Sequence, residues 1–299
     1  MLGIPMRYLL KHPAIGVSDL LADPAEAWTT IHESYVANRE RHRPQCPYQA
    51  DPDWEERLRD ALGVASPCEE TRDFPQLWSQ VIGELDAKGI RAGPESFQGW
   101  NDADVAFVRA IWCLTRHLRP RKVVETGVAH GVTSRFILEA LKRNGDGHLW
   151  SIDLPPLERS WHEQIGAAVG DGHADRWTYI RGSSRRRLPG LLRQLGQIDL
   201  FIHDSLHSER NVRFELERAW SCLGQDGAIV VDDIDANWGF RSFIASVTGQ
   251  ISLIGTAEPL RPDPRRFNNK GLFGIVLRTP VASLAAKELA SRAAPINMG

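Results

Sequence analysis

The sequence predicts an α/β fold built on a doubly wound, mostly parallel sheet with an N-terminal helical extension. The first observation is the stretch 123–153, where an apolar strand, a loop of small residues, a helical pattern and a second strand form one βαβ unit. The second is the repetition of this alternation, with further apolar strands at 177–181, 198–202 and 228–231. The third is a series of helical patches, broken by turns, within residues 1–98.

The N-terminal elements are predicted to be helices. Asp23-Pro24 starts a helical pattern that continues through Tyr35, and two shorter patterns follow at 53–62 and 74–85. A stronger helix is expected at 102–118, directly before the first strand. With a linker expected at 86–99, the chain divides into a helical extension or lid at 1–98, a main domain at 99–280 and a C-terminal tail at 281–299.

The loop between the first strand and its helix is suited to binding a ligand. Gly127 and Gly131 allow the backbone to approach a bound molecule at the start of the helix. Asp153 ends the second strand, where doubly wound sheets place an acid on ribose hydroxyls. The alternative is an ordinary crossover whose glycines serve only packing.

Residues 123–133 resemble the first motif of the class I S-adenosylmethionine (SAM)-dependent methyltransferases, which has the form (V/I)-(V/L)-E-x-G-x-x-x-G-x-(S/T). The resemblance extends over about residues 100–279. It implies a Rossmann-like sheet that closes with an antiparallel hairpin, here formed by 251–254 and 271–277. It also implies that SAM is held by Glu125, Thr126, Gly127, Ala129, Gly131, Ser134, Asp153, Ser183 and Asp204.

Two serines follow the third strand, in the loop that borders the adenine in the resembling family. Ser183 and Ser184 are therefore candidates to hydrogen-bond the base, and capping of the next helix is an equal alternative. That helix is expected to begin near Leu188. The basic run 185–187 is expected to be solvated rather than to bind phosphate.

Three further acids follow the fourth and fifth strands. Asp204, Asp232 and Asp233 are expected at the carboxyl edge of the sheet, where open α/β sheets bind ligands. Close carboxylates repel each other unless a cation lies among them, and this set without soft ligands suits Mg²⁺. The alternative is a metal-free site in which Asp204 contacts only SAM.

With these acids the resemblance narrows to metal-dependent O-methyltransferases, especially macrocin-type sugar O-methyltransferases and cephamycin-biosynthesis relatives. In that group the matching acids hold Mg²⁺, which binds vicinal hydroxyls of the acceptor. Some members carry an acidic residue two positions after the first metal ligand, where it acts as the base; this chain has Leu206 at that position. His207 is the nearest titratable replacement, so His207 and Asp204 are the candidate catalytic residues. A histidine that merely starts the next helix is equally compatible.

Composition limits the partners and the location. The net charge of −2 does not indicate a nucleic-acid partner, and no apolar run is long enough for a membrane span. The four cysteines lack C-x-x-C spacing, which favours a reducing, cytoplasmic location over a disulfide framework or a zinc site. A small-molecule or glycan acceptor is expected, and a homo-oligomer is compatible with the sequence.

The sequence therefore predicts a SAM-dependent O-methyltransferase that methylates a hydroxyl of a sugar or natural product with the help of Mg²⁺. A metal-independent small-molecule methyltransferase and a non-catalytic SAM-binding accessory protein remain alternatives. An NAD(P)-dependent sugar-modifying enzyme is disfavoured because the chain lacks both G-x-G-x-x-G and a Tyr-x-x-x-Lys pair.

Overall fold

The structure is a computed structural model that describes residues 23–40, 42–64, 71–91, 104–154, 159–258 and 271–278. Most of the expected linker, most of the long loop before the last strand and the C-terminal tail lie outside these residues. Within the described ranges, no helix has the length and apolar character needed to cross a membrane.

Seven strands form one sheet in the order β3-β2-β1-β4-β5-β7-β6. The strands are β1 (Lys122–Thr126), β2 (His148–Asp153), β3 (Trp177–Arg181), β4 (Ile198–His203), β5 (Leu223–Val231), β6 (Gln250–Thr256) and β7 (Leu272–Arg278). Strands β1 to β5 pair in parallel, whereas β7 runs antiparallel to both β5 and β6. The predicted doubly wound sheet with a closing antiparallel hairpin is confirmed.

Eight α-helices accompany the sheet in the described part of the chain. They are α1 (Pro24–Glu40), α2 (Trp54–Leu62), α3 (Phe74–Ala87), α4 (Val105–Leu118), α5 (Val132–Asn144), α6 (Ser184–Leu195), α7 (Glu209–Cys222) and α8 (Gly239–Ser246). Short 3₁₀ turns occupy Arg159–Gln164, Asp171–His173 and Ile234–Ala236.

The core lies on both faces of the sheet because successive strand residues point to opposite sides. Val123 packs in the cluster that contains α4 and α5, while its neighbour Val124 packs in the cluster that contains α6, α7 and α8. Helices α2 and α3 belong to the first cluster. Trp54 of α2 meets Phe273 edge-on at 5.1 Å between ring centroids, and Phe74 of α3 lies 4.9 Å from the Phe136 ring. These two helices therefore complete the main core.

The segment between α1 and α2 crosses the free edge of the sheet along β6. The backbone N–H of Asp51 donates to the carbonyl of Ile254 (2.8 Å), and the Ile254 N–H donates to the Asp51 carboxylate (3.0 Å). Nearby, the Trp238 indole donates to the Pro44 carbonyl (3.0 Å). This crossing places α1 beside α6 and α7, whereas α2 packs on β6 and α4.

Helix α6 begins earlier than the sequence predicts, at Ser184, so the three arginines at 185–187 form its first turn. The Arg185 guanidinium lies 3.2 Å from the Glu33 carboxylate of α1, and Arg186 pairs with Glu26 at 3.0 Å. The expectation that this run is solvated is therefore wrong for Arg185 and Arg186. Acidic residues of α1, distant in sequence, provide the partners.

Strand β5 also differs from the expectation, because it begins at Leu223 instead of at Ala228. Residues 224–227, outside the predicted strand, are part of the observed one, and the pairing with β4 shifts register between Ile198 and Leu200 to accommodate them.

Candidate active site

The loop after β1 has the conformation that its glycines were expected to allow. Gly127 has φ +89°, and a Cβ atom there would lie 1.8 Å from the carbonyl oxygen of Asp204. Gly131 has φ +79°, and its Cβ would lie 2.8 Å from the Cα of Gly166. Only glycine fits these two positions, because any side chain would collide with neighbouring backbone. Ala129, between them, also has positive φ (+47°), and its carbonyl accepts the Gly166 N–H (2.9 Å).

Glu125 is a fully buried carboxylate at the end of β1. Its Oε2 accepts hydroxyl protons from Ser134 (2.6 Å) and Ser151 (2.7 Å), whereas its Oε1 is buried without a hydrogen-bond partner among the described residues. Burial raises the pKa of Glu125 to about 7, although the two serine hydroxyls act in the opposite direction. One oxygen of Glu125 is therefore held by the protein and the other is left for a ligand donor.

Asp153 ends β2, the neighbour of β1. Burial raises its pKa to about 7, while hydrogen bonds from the backbone N–H groups of Ala129 and Leu154 oppose this shift. The bond from Ala129 joins the carboxylate directly to the glycine loop. Asp153 and the loop thus lie together at the carboxyl edge of the sheet, as their sequence spacing predicted.

Two other predicted cofactor residues have protein partners. The Thr126 hydroxyl donates to the Glu215 carboxylate (2.6 Å). The backbone N–H of Ser183 donates to Glu26 of α1 (2.9 Å), while the Ser183 hydroxyl is buried without a partner in the described ranges. The Glu26 carboxylate therefore binds the backbone of the residue that precedes α6, and the Ser183 hydroxyl does not cap the helix.

Asp204, His207 and Asp232 form the acidic cluster at the ends of β4 and β5. Each offers one potential ligand atom, and these atoms all lie within 4.8 Å of one another. The His207 Nε2 lies 3.7 Å from the nearer Asp204 oxygen. Burial, followed by the charges of nearby carboxylates, raises the pKa values of Asp204 and Asp232 well above the usual range. A cation at this position would relieve that repulsion, so the donor set fits a divalent metal ion.

The third predicted metal ligand, Asp233, is not part of that set in the described residues. It follows Asp232 with a left-handed backbone (φ +47°). Its charge nevertheless contributes to the raised pKa values of both Asp204 and Asp232, so it lies close to them. The structure brings His207 into the cluster in its place.

Sequence reasoning missed two carboxylates around this site. Asp104 caps α4 by accepting the Phe107 N–H (2.9 Å), and its charge also raises the pKa of Asp232. Glu215 is fully buried behind the cluster and hydrogen-bonds His203 at 2.6 Å. The signal for Glu215 was its spacing, because it shares the apolar face of α7 with Val212, Leu216 and Ala219.

Comparisons with known proteins agree with this fold. Residues 124–234 match a protein family described as a methyltransferase domain. The O-methyltransferase TomG from Streptomyces achromogenes, involved in tomaymycin synthesis and solved with SAM, superposes with a TM-score of 0.50. It is 18% identical over 68% of this chain and 89% of that chain.

A proposed O-methyltransferase from Klebsiella pneumoniae superposes with a TM-score of 0.51, at 16% identity over 75% of this chain and 96% of that chain. A search of curated proteins found no significant sequence match. Residues 124–234 are therefore similar to a methyltransferase domain, and the described chain has the fold of these solved O-methyltransferases.

Proposed function

We propose that the protein is a SAM-dependent O-methyltransferase that uses a divalent cation to methylate a hydroxyl of a sugar or natural-product acceptor. The observation that carries the proposal is the adjacency of two features at one sheet edge. The glycine loop and Asp153 lie at β1 and β2, while Asp204 and Asp232 lie at the ends of β4 and β5. The first suits a nucleoside, and the second suits a metal-bound hydroxyl.

In this proposal SAM occupies the loop between Gly127 and Gly131. Asp153 accepts hydrogen bonds from the ribose hydroxyls, and the unpartnered Oε1 of Glu125 accepts from the ammonium group of the methionine part. The buried Ser183 hydroxyl is available to the adenine. Thr126, Ala129 and Ser134 act indirectly: they shape the loop or hold Glu125 and Glu215.

The divalent cation is proposed to bind at Asp204 and Asp232, with Asp233 as a further oxygen donor. When bound, Mg²⁺ or Mn²⁺ would orient the acceptor hydroxyl and lower its pKa. The raised pKa values of Asp204 and Asp232 support this assignment, since a positive charge would stabilise both as carboxylates.

The reaction in this proposal is a direct displacement. The acceptor oxygen attacks the SAM methyl carbon in line, the new C–O bond forms as the C–S bond breaks, and S-adenosylhomocysteine leaves. The hydroxyl proton passes to the imidazole of His207, which lies beside Asp204, and then to water. Asp204 orients this imidazole and contributes to the cation site.

His207 has two conceivable roles, because it also belongs to the cluster that could ligate the metal. We propose that it acts as the base. His207→Ala is then expected to slow methyl transfer by about 10²- to 10⁴-fold while the affinity for Mn²⁺ stays within twofold of wild type. A parallel loss of Mn²⁺ affinity would instead make His207 a ligand. His32→Ala, at a half-exposed histidine of α1, is the matched control.

The acceptor class follows from the proposed likeness to macrocin-type and cephamycin-biosynthesis O-methyltransferases. Its support in this chain is the pairing of Asp204 after β4 with Asp232 and Asp233 after β5. Vicinal hydroxyls, which can both approach one cation, are therefore the proposed acceptor groups. A nucleic-acid acceptor is not proposed, given the net charge of −2.

The extension at 1–98 is proposed to contribute to the acceptor side as well as to the core. Glu26 of α1 reaches the end of β3 and binds the backbone of Ser183, so α1 lies at the sheet edge that has to be covered to exclude water. Helices α2 and α3 have a different task, because Trp54 and Phe74 are buried in the main core. A truncation beginning near Gly99 is thus expected to unfold, and removal of α1 alone tests the acceptor role.

The deciding experiment measures binding first and turnover second. Calorimetric titration should show that SAM binds and NADH does not. Transfer of a labelled methyl group to a panel of vicinal diols and sugars should then require Mg²⁺ or Mn²⁺ and stop in excess chelator. Full transfer by metal-stripped protein in chelator would establish a metal-independent methyltransferase. SAM binding without transfer to any acceptor would favour an accessory protein.

A further inference from the structure

We propose that Glu215 is a positioning residue that sets the loop carrying Asp204 and His207 and thereby the metal affinity and turnover of the site. The inference rests on the proposed function, because it concerns the same acidic cluster. Glu215 itself belongs to helix α7 and is fully buried.

Both oxygens of the Glu215 carboxylate are used in full. Oε2 accepts the Thr126 hydroxyl and the His203 Nδ1–H, each at 2.6 Å. Oε1 accepts the Ser205 hydroxyl and the Asn211 amide, each at 2.8 Å. One buried carboxylate therefore ties together the end of β1, the end of β4, the following loop and the first turn of α7.

These donors enclose the catalytic loop. His203 and Ser205 are the immediate neighbours of Asp204, one on each side. Asn211 also donates to the carbonyl of Leu206 (3.2 Å), the residue before His207. Because Glu215 holds the side chains of both neighbours of Asp204, we expect the direction of the Asp204 carboxylate to depend on Glu215, which lies outside the acidic cluster.

The link to His207 runs through His203. The two imidazole rings meet edge to face at 5.5 Å between centroids, and His203 is fully buried. The Nδ1 of His203 is bound to Glu215, which fixes the plane of its ring. Glu215 therefore supports both members of the Asp204–His207 pair.

Charge on Glu215 is required for this arrangement. Burial alone would raise its pKa, but the interactions with His203 and with the hydroxyls of Ser184 and Thr126 lower it to about 2, so Glu215 accepts from its donors as a carboxylate. A glutamine keeps the shape but replaces one accepting oxygen with an NH₂ group. That group would face two donors, and the loop would have to move to avoid an unsatisfied buried contact.

The test compares Glu215→Gln with a matched control, Glu139→Gln. Glu139 of α5 also binds a histidine, His173 at 3.2 Å, and an arginine, Arg135 at 3.1 Å, and its pKa is also lowered to about 2. It belongs to no part of the proposed site. Four quantities are measured for both variants: Mn²⁺ affinity, SAM affinity, kcat with KM, and the unfolding temperature.

Glu215→Gln is expected to weaken Mn²⁺ binding and reduce kcat, each by about 10- to 100-fold, with SAM affinity within twofold of wild type. Glu139→Gln is expected to lower the unfolding temperature without changing Mn²⁺ affinity or kcat. Unchanged Mn²⁺ affinity and kcat in Glu215→Gln would overturn the inference. The inference would also be overturned if Glu139→Gln, at an equal loss of stability, lost as much Mn²⁺ affinity and kcat, because the effect would then be one of general destabilisation.

Ser205→Ala provides a second variant if Glu215→Gln fails to fold. It removes one donor and leaves the carboxylate in place, and it should lower Mn²⁺ affinity by roughly 3- to 10-fold. No change in that variant would also contradict the inference. The wild-type measurement separates the two proposals: wild-type protein that binds SAM but no Mn²⁺ refutes the metal-dependent function and the role of Glu215 with it. If the wild-type protein binds Mn²⁺ and both variants bind it equally well, only the role of Glu215 is refuted.

Discussion

The two halves of the sheet's carboxyl edge hold their acids in different ways. In the cofactor half, formed by β1 and β2, Glu125 accepts two serine hydroxyls and Asp153 accepts two backbone N–H groups. In the cation half, formed by β4 and β5, burial and the charge of Asp233 raise the pKa values of Asp204 and Asp232, and the charge of Asp204 raises that of Asp232 further. Hydrogen bonds dominate around the acids of the first half, whereas repulsion between carboxylates dominates around the acids of the second half.

This difference indicates that the two halves respond differently to ligand binding. A site with hydrogen-bonded acids binds its ligand with little rearrangement. A site with repelling acids is stabilised by the ligand that it binds, so cation binding and local stability should be linked. The following predictions test this contrast, beginning with the largest expected effect.

Loss of the cation half should abolish turnover without affecting SAM. Asp232→Asn, or excess chelator on the wild-type protein, is expected to reduce kcat by on the order of a thousandfold, since Lewis-acid stabilisation amounts to several kcal/mol. Calorimetry should find SAM affinity within about threefold of wild type. A large loss of SAM affinity in Asp232→Asn would show that the two halves are one coupled site.

Loss of the cofactor half should have the reverse pattern. Asp153→Ala removes the proposed ribose contacts and is expected to weaken SAM binding by roughly 1.5–3 kcal/mol, as for hydrogen bonds to a charged group. Mn²⁺ affinity, measured in the same variant, should be retained. Unchanged SAM affinity would reject the placement of the nucleoside at Asp153.

The raised pKa of Asp153 predicts the pH dependence of SAM binding. With a pKa of about 7, the ionised fraction rises from about one tenth at pH 6 to about nine tenths at pH 8, so SAM affinity should rise about tenfold. Asp153→Asn should bind SAM more weakly and with a flatter profile. A wild-type affinity independent of pH over this interval would contradict the proposed contact.

The same shift has a consequence for stability in the absence of ligand. A raised carboxyl pKa means that the folded state binds its proton more tightly than the unfolded chain. Stability is therefore expected to fall as pH rises from about 4 to about 7, the interval between the ordinary and the shifted pKa of Asp153.

The smallest expected effect is on stability, and its sign should differ between the two halves of the edge. In metal-free protein, Asp232→Asn removes a repulsive charge and should raise the free energy of unfolding by about 1 kcal/mol, a small value because Asp204 is partly exposed to solvent. Ser134→Ala removes the hydroxyl that donates to Glu125 and should lower the free energy of unfolding by about 1 kcal/mol. Thermal unfolding in the presence of chelator measures the stability of both variants. If both substitutions change stability in the same direction, the two halves of the edge do not differ in the way described.

The sequence predicted where the main site residues lie, because each of them directly follows a strand that short sequence patterns indicate. The glycine loop, Asp153 and the acids after β4 and β5 are each fixed by the end of a strand, and parallel strands bring those ends to one edge. The fold class followed from the same order of elements, whereas the closing hairpin was expected from the resemblance to class I SAM-dependent methyltransferases. These features depend on short patterns of apolar residues and glycines.

What the sequence did not reveal depends on contacts between distant segments. The partners of Arg185 and Arg186 lie about 150 residues earlier, in α1, so no local pattern indicated them. Glu215 looked like one more charged residue on a helix until its burial was known. The presence of His207 rather than Asp233 in the close set of ligand atoms depends on backbone angles within the loops, which strand periodicity does not determine.

The crossing of the β6 edge by the segment near Asp51 has a consequence for how the protein is made. Asp51 pairs with Ile254, which lies 203 residues later in the sequence, so this contact can form only after the intervening chain has been synthesised. Since α2 also packs on β6 and Trp54 on Phe273, α2 and the segment before it cannot reach their final packing until β6 and β7 are present. Once seated, the same segment covers an exposed strand edge that could otherwise recruit another chain.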